Sequence, residues 1–380
     1  MTDFSDEFPL DDGLCYLNHA AVAPWPARTG AAVRAFADQA VHRGARDYPD
    51  WLAVERHLRE QFECLLNAGS TDDIALLKNT SEGLSVIAEG LNWQPGHQVV
   101  IMDHEFPSNR IPWQALEPHG VEVIEVPVDG DDPEGALIAA FTNRTRLLSA
   151  SSVHYGTGLR LDLERLGRAC RERNILFCVD AIQSLGAQPL DVQAAQADFA
   201  VADGHKWMLG PEGLAVFYSR PGSVRDQLDL HQYGWHMVEQ PGQFGQRDWR
   251  PAESAQRFEC GSPNLLCAHA LSASLSLLLE VGPERIAELI EERVAHIEKR
   301  LHDAGGFEII TPSDPQRRAG ILTFRPLHED TDAACNRLWA AGVVCARRGG
   351  GIRFSPHFYT PLEVVDRAVD ILLQGSPQMG

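Results

Sequence analysis

The chain has 380 residues, 44% hydrophobic and 23% charged, the make-up of a globular protein with room for a sizeable core. Acidic residues outnumber basic ones 53 to 33, a formal net charge of −20, which argues against a nucleic-acid backbone or an anionic membrane surface as a partner. No run of about 20 apolar residues suggests a membrane span, and the acidic start MTDFSDEFPLDD lacks the basic and apolar regions of a signal peptide.

The first apolar run with strand character is 74–78. It leads into Asn79-Thr80-Ser81-Glu82-Gly83, which opens a helical pattern running to Leu91. Small hydroxyl residues at a helix N-terminus form an anion site from backbone N–H groups and the helix dipole. An ordinary N-cap is the alternative for so short a motif. The next strand, 98–102, is followed by DHEFPSN, in which Phe106 is placed to stack on a flat ring, or else to fill core; His104 reads as a loop residue. Strands at 122–126 and 147–151 come next, then a helix at 163–173.

The strand at 175–180 ends on Asp180, in FCVDAIQSLG. A carboxylate there can partner a ring nitrogen, or cap a helix. Gln183 follows within one turn. The strand at 199–203 precedes Lys206, in ADGHKWMLGPEG. A lysine at a strand end can form a Schiff base with a carbonyl cofactor when burial lowers its pKa; a surface loop lysine is the alternative. A seventh strand is expected at 214–218. The Gln-, Gly- and Pro-rich stretch 240–252 reads as a long loop. Helices at 262–281 and 283–304, a strand at 320–325 and helices at 331–341 and 361–373 complete the chain. Arg353, in GGGIRFSPHFYTP, is suited to grip a substrate carboxylate through paired hydrogen bonds, with a structural ion pair as the alternative.

Strands spaced by helices imply βαβ units and a mostly parallel sheet covered on both faces, with ligands gathered at the strands' carboxyl ends. The expected class is therefore α/β: a seven-stranded sheet in a large domain at 21–255 and a smaller α+β domain at 256–380; fold analogy alone adds an N-terminal segment at 1–20 packing with the latter. Eight cysteines without a CxxC pair argue for reduced thiols in a cytoplasmic protein, with no metal site.

Taken in order, NTSEG, HEFPSN, SSVHYGTG, VDAIQSLG, DGHKW, FECGSPN and RFSPHFYT resemble the class V aminotransferase superfamily of fold-type I pyridoxal-phosphate (PLP) enzymes. That group includes cysteine desulfurases, kynureninases and isopenicillin-N-epimerase-like proteins. The resemblance runs from Tyr16 to the last helix. It implies Lys206 as the Schiff-base lysine, Asp180 at the pyridine nitrogen and Gln183 at the phenolic oxygen. Thr80 and Ser81 would hold the phosphate, Phe106 would cover the ring, and Ser151, Asp203 and His205 would add cofactor contacts. Asp203 departs from the commoner Ser or Thr. Ser262 would reach the phosphate of a second copy, implying a homodimer with shared sites. Arg353 would bind the substrate carboxylate. Tyr233, Trp235 and Arg348 are candidates for the side-chain pocket.

Related desulfurases carry a cysteine after an Arg-x-Gly element. The matching stretch here, Ala346 to Ile352, has none, and Cys345 sits on an apolar run. The resemblance thus implies an enzyme acting on a small α-amino acid, of aminotransferase type, with a carbon–sulfur or kynureninase-like lyase, or an epimerase, as the alternative.

Overall fold

The computed structural model describes residues 4–374. Residues 1–3 and 375–380, the outer ends of the expected N-terminal segment and small domain, lie outside the described residues. Strand β1 (Cys15–Tyr16) precedes a large sheet built from β2 (Ile74–Leu77), β3 (Gln98–Met102), β4 (Glu122–Val126), β5 (Thr145–Ser151), β6 (Leu176–Asp180), β7 (Phe199–Asp203) and β8 (Ala215–Ser219). Their order is β2-β8-β7-β6-β5-β3-β4, and only β8 runs antiparallel to its neighbours. All seven expected strands are present, with ends shifted by no more than two residues.

β3, β6, β7 and β8 are buried along their whole length, as a sheet covered on both faces requires. The chain leaves β3 for the edge strand β4 and returns to β5 on the other side of β3. Such a reversal opens a crevice at the carboxyl ends of the strands. The helix Thr80–Gly90 lies close on β7: a Cβ on Gly83 would sit 2.7 Å from Val201 Cγ1.

The C-terminal part carries β9 (Phe307–Ile309), β10 (Leu322–Pro326), β11 (Val343–Val344), β12 (Ala346–Arg348) and β13 (Gly351–Phe354). Four of them form the antiparallel sheet β12-β13-β10-β9, while β11 pairs in parallel with β1. The helices of this part are Leu265–Val281 and Pro283–Ala304 before β9, Thr331–Ala340 between β10 and β11, and Leu362–Leu373 after β13. The first starts three residues later than expected, because Asn264 caps it by accepting the Cys267 N–H.

Two long helices escaped the sequence reading, Ala27–Arg43 and Tyr48–Leu66. Both pack against Leu265–Val281. Arg59 on the second donates to both oxygens of Glu259, at 2.6 and 2.8 Å, and so anchors the FECGSPN segment. All eight cysteines are free thiols. Among the described residues no single helix is long and apolar enough to cross a membrane.

Candidate active site at the carboxyl ends of the sheet

Lys206 follows β7 and is 7% exposed. Its Nζ lies 5.4 Å from the centroid of the Phe106 ring. Burial brings the amine down to about 8, against the opposing pull of Asp180; the nearby Arg353 charge lowers it further. The backbone around the lysine is tied from both ends of the chain. The Ala23 N–H donates to the His205 carbonyl at 2.9 Å, and His357 Nε2 donates to the Trp207 carbonyl at 3.0 Å.

Asp180 ends β6 and is buried. Burial raises its carboxyl to about 6. Oδ1 accepts the Ile182 N–H at 3.1 Å in a turn rather than a helix, which leaves Oδ2 for another partner. Gln183 is more committed than the sequence implies. Its Oε1 accepts the Trp207 indole N–H at 2.9 Å, and its Nε2 donates to the Ala20 carbonyl at 3.0 Å. One amide hydrogen remains for a ligand.

Asn79 caps the helix Thr80–Gly90 through its own side chain, accepting from the Glu82 N–H at 2.9 Å. Capping therefore does not account for the residues that follow. Thr80 Oγ1 is buried without a hydrogen-bond partner, and the Ser81 hydroxyl donates to Ser108 at 2.9 Å. Asp203 Oδ1 and His205 Nδ1 lie 2.9 Å apart, and neither atom has any further partner among the described residues. Unpaired buried polar atoms cost free energy unless a ligand or water meets them.

Phe106 is 40% exposed, not core, and its ring meets Tyr155 edge-on with centroids 5.3 Å apart. Arg353, on β13, is 2% exposed and donates from Nη1 to the Tyr155 carbonyl at 2.7 Å, while its Nε is buried and unpartnered. Burial, and next the positive field of Arg348, bring its guanidinium down to about 10. Ser262 stands apart. It is exposed in the turn ahead of Leu265–Val281, and no hydrogen bond joins it to this cluster among the described residues.

Sequence reasoning missed Glu105. Its side chain is 3% exposed and takes both donors of Ser151: the backbone N–H at 2.8 Å and the hydroxyl at 2.6 Å. Ser151 is paired in register with Asp180, so two buried carboxylates sit near each other, and no cation pairs with Glu105 among the described residues. Burial raises Glu105 to about 8, and the Asp180 charge adds to the rise. The folded protein therefore keeps a proton that the unfolded chain releases. Stability falls as pH rises from the ordinary carboxylate range through about 8. Urea unfolding of apoprotein at pH 5.5 and 8.5 is expected to show a wild-type loss of a few kcal/mol more than Glu105→Gln shows. Equal losses in both proteins would refute the assignment.

These groups suit a flat, anionic aromatic aldehyde such as PLP. Thr80 Oγ1 and the helix N-terminus would be free to meet its phosphate, Asp180 Oδ2 its ring nitrogen, Phe106 its face and Lys206 its carbonyl.

The family model described as aminotransferase class V matches residues 15–367. A probable cysteine desulfurase of Methanothermobacter thermautotrophicus is 29% identical over 386 residues, covering 96% of this chain and 95% of that protein. The isopenicillin N epimerase of Streptomyces clavuligerus is 30% identical over 316 residues, 79% of either chain. Among solved structures, the cysteine desulfurase from Thermococcus onnurineus NA1 superposes with a TM-score of 0.85 at 22% identity, over 98% of this chain and 96% of that one. A C-DES mutant with glycine covalently linked to its PLP cofactor gives 0.90 at 21% identity, over 98% and 99%. The two structures show the shared fold, and the match over residues 15–367 shows more: this chain belongs to the aminotransferase class V family.

Proposed function

We propose that this chain is a PLP-dependent enzyme acting on an α-amino acid, with Lys206 as its catalytic base. The observation that carries this is the convergence of a buried lysine amine, a buried aspartate and an open aromatic face at the ends of β6, β7 and β3. When bound, the cofactor supplies a carbonyl carbon that takes up an amine and a cationic ring that draws in electron density. The protein's part follows from its own groups. Lys206, brought near neutral pH by burial, removes the substrate's α-proton at Nζ. Asp180 holds a proton on the ring nitrogen through Oδ2. Thr80, Ser81 and the helix N-terminus bind phosphate, and Phe106 covers one ring face and excludes water. Gln183 offers its remaining amide hydrogen to the phenolic oxygen. Arg353 fixes the α-carboxylate and so orients the Cα–H bond toward Lys206.

We favour transamination as the outcome. Epimerisation and β-elimination share every step up to α-proton removal, and the 30% identical epimerase supports keeping that second reading. A desulfurase route by persulfide is disfavoured. Cys345 is buried, and its hydrogen bond with Cys335 and its burial push the thiol far above the ordinary range. A persulfide needs an exposed thiolate. Ser262, exposed in its own chain, suits a homodimer with shared sites, and the free thiols suit the cytoplasm.

The test is a panel of amino acids incubated with loaded protein in deuterated water. Solvent deuterium is expected at Cα of at least one member. Conversion to a keto acid marks transamination, loss of optical activity marks epimerisation, and pyruvate with sulfide marks elimination. No deuterium uptake across the panel would overturn the reading.

A further inference from the structure

β12 and β13 form a hairpin in which Ala346 faces Arg353 and Arg348 faces Gly351. Side chains alternate along a strand, so Ala346, Arg348, Gly351 and Arg353 share one face and Arg347 points to the other. Arg348 and Arg353 are diagonal neighbours, a separation of about 7–8 Å at the backbone, which long side chains span.

The two faces are treated differently. Arg347, on the far face, pairs with Asp332. Neither Arg348 nor Arg353 has a carboxylate partner among the described residues; they donate to the backbone carbonyls of Arg347 and Tyr155. This happens in a chain where acids outnumber bases 53 to 33, so an acidic neighbour is the common outcome elsewhere. Arg318, for comparison, pairs with both Glu291 and Glu298. Two like charges left together without an acid destabilise the hairpin unless an anion joins them.

The hairpin is also held firmly against the site. Gly349 has φ +60°, and a Cβ there would fall 2.2 Å from the Gly156 carbonyl oxygen. That same carbonyl accepts the Thr323 hydroxyl at 2.6 Å. The tip therefore rests on the loop whose Tyr155 carbonyl orients Arg353, and Arg348 starts from a fixed point close enough for its charge to act on Arg353.

We propose that the substrate is an acidic amino acid, with Arg353 taking its α-carboxylate and Arg348 its second anionic group. This rests on the assignment of Arg353 to the α-carboxylate. Arg348 is then the specificity residue, and its exposure places the second group outward, away from Lys206.

The test compares loaded wild type with Arg348→Gln. Deuterium exchange at Cα is followed for glutamate and aspartate against glutamine and norvaline. Wild type is expected to favour glutamate over glutamine at least tenfold in kcat/KM. Arg348→Gln is expected to erase that preference, lowering the glutamate value at least tenfold more than the glutamine value. Calorimetry with glutarate, which has no amine to react, is expected to show binding at least tenfold weaker in the variant, whereas butyrate binding changes far less. Exchange with neutral amino acids and no preference for glutamate would overturn the inference and leave the proposed function standing. Equal losses for glutamate and glutamine would also overturn it, since both arginines would then grip one carboxylate. Exchange with no amino acid would overturn the inference and the proposed function together.

Discussion

Lys206→Ala is expected to lower kcat for α-proton removal by about 10³-fold or more, since the proposed function gives this one group both the retention of the cofactor and the transfer of the proton. Reduction with borohydride should fix the cofactor to the wild-type peptide containing Lys206, seen as a mass increase, and fix nothing in the variant. The loss will not come from unfolding. The amine is buried with no ion pair among the described residues, so truncation removes a desolvated polar group and leaves the buried Trp207 beside it in place. Thermal unfolding of the two apoproteins should agree within a few degrees. The pH dependence follows from the amine at about 8: only the neutral form attacks a carbonyl. Capture of cofactor by wild-type apoprotein should quicken roughly tenfold per pH unit below 8 and level off above it. A capture rate independent of pH, or a variant that retains the covalent label, would refute the role of Lys206.

The second large effect is expected at Asp180. Asp180→Asn keeps the volume and removes the charge that the proposed function sets against the ring nitrogen. Preorganised electrostatic partners of this kind contribute about 10²–10³-fold, so kcat should fall by that much while covalent capture by Lys206 survives. Stability should move the other way. Burial raises the carboxyl to about 6, so the folded apoprotein bears the cost of an ionised buried group at pH 7 that asparagine avoids. An apoprotein no less stable than wild type, yet nearly inactive when loaded, is the signature. A variant with wild-type kcat would remove Asp180 from the mechanism.

The sheet was legible because its strands are short apolar runs, and the motifs at their ends singled out Lys206, Asp180 and Phe106, while Arg353 was read from the glycine-rich stretch before it on β13 of the smaller sheet. What stayed hidden depends on distant contacts. In Ala27–Arg43 only Thr29 is buried, so no apolar stripe announces the helix. β11 is two residues long and exists through pairing with Cys15–Tyr16, far back along the chain. Glu105 looks like a solvated acid beside His104. Its burial is decided by Ser151, 46 residues away, and only its place at a strand end next to Phe106 hints at the site. The engagement of Gln183 is likewise set from afar, by Ala20, 163 residues earlier.

The ties on either side of Lys206 give the site a place in time. His205 is held by Ala23, and Trp207 by His357, 150 residues downstream. During synthesis the lysine emerges long before the segment that fixes its neighbour. Contacts so far apart in sequence form late, because a long loop must first close. An unfinished or C-terminally clipped chain thus carries Lys206 without its setting, and firm cofactor loading becomes a mark that the last part of the chain has arrived and folded.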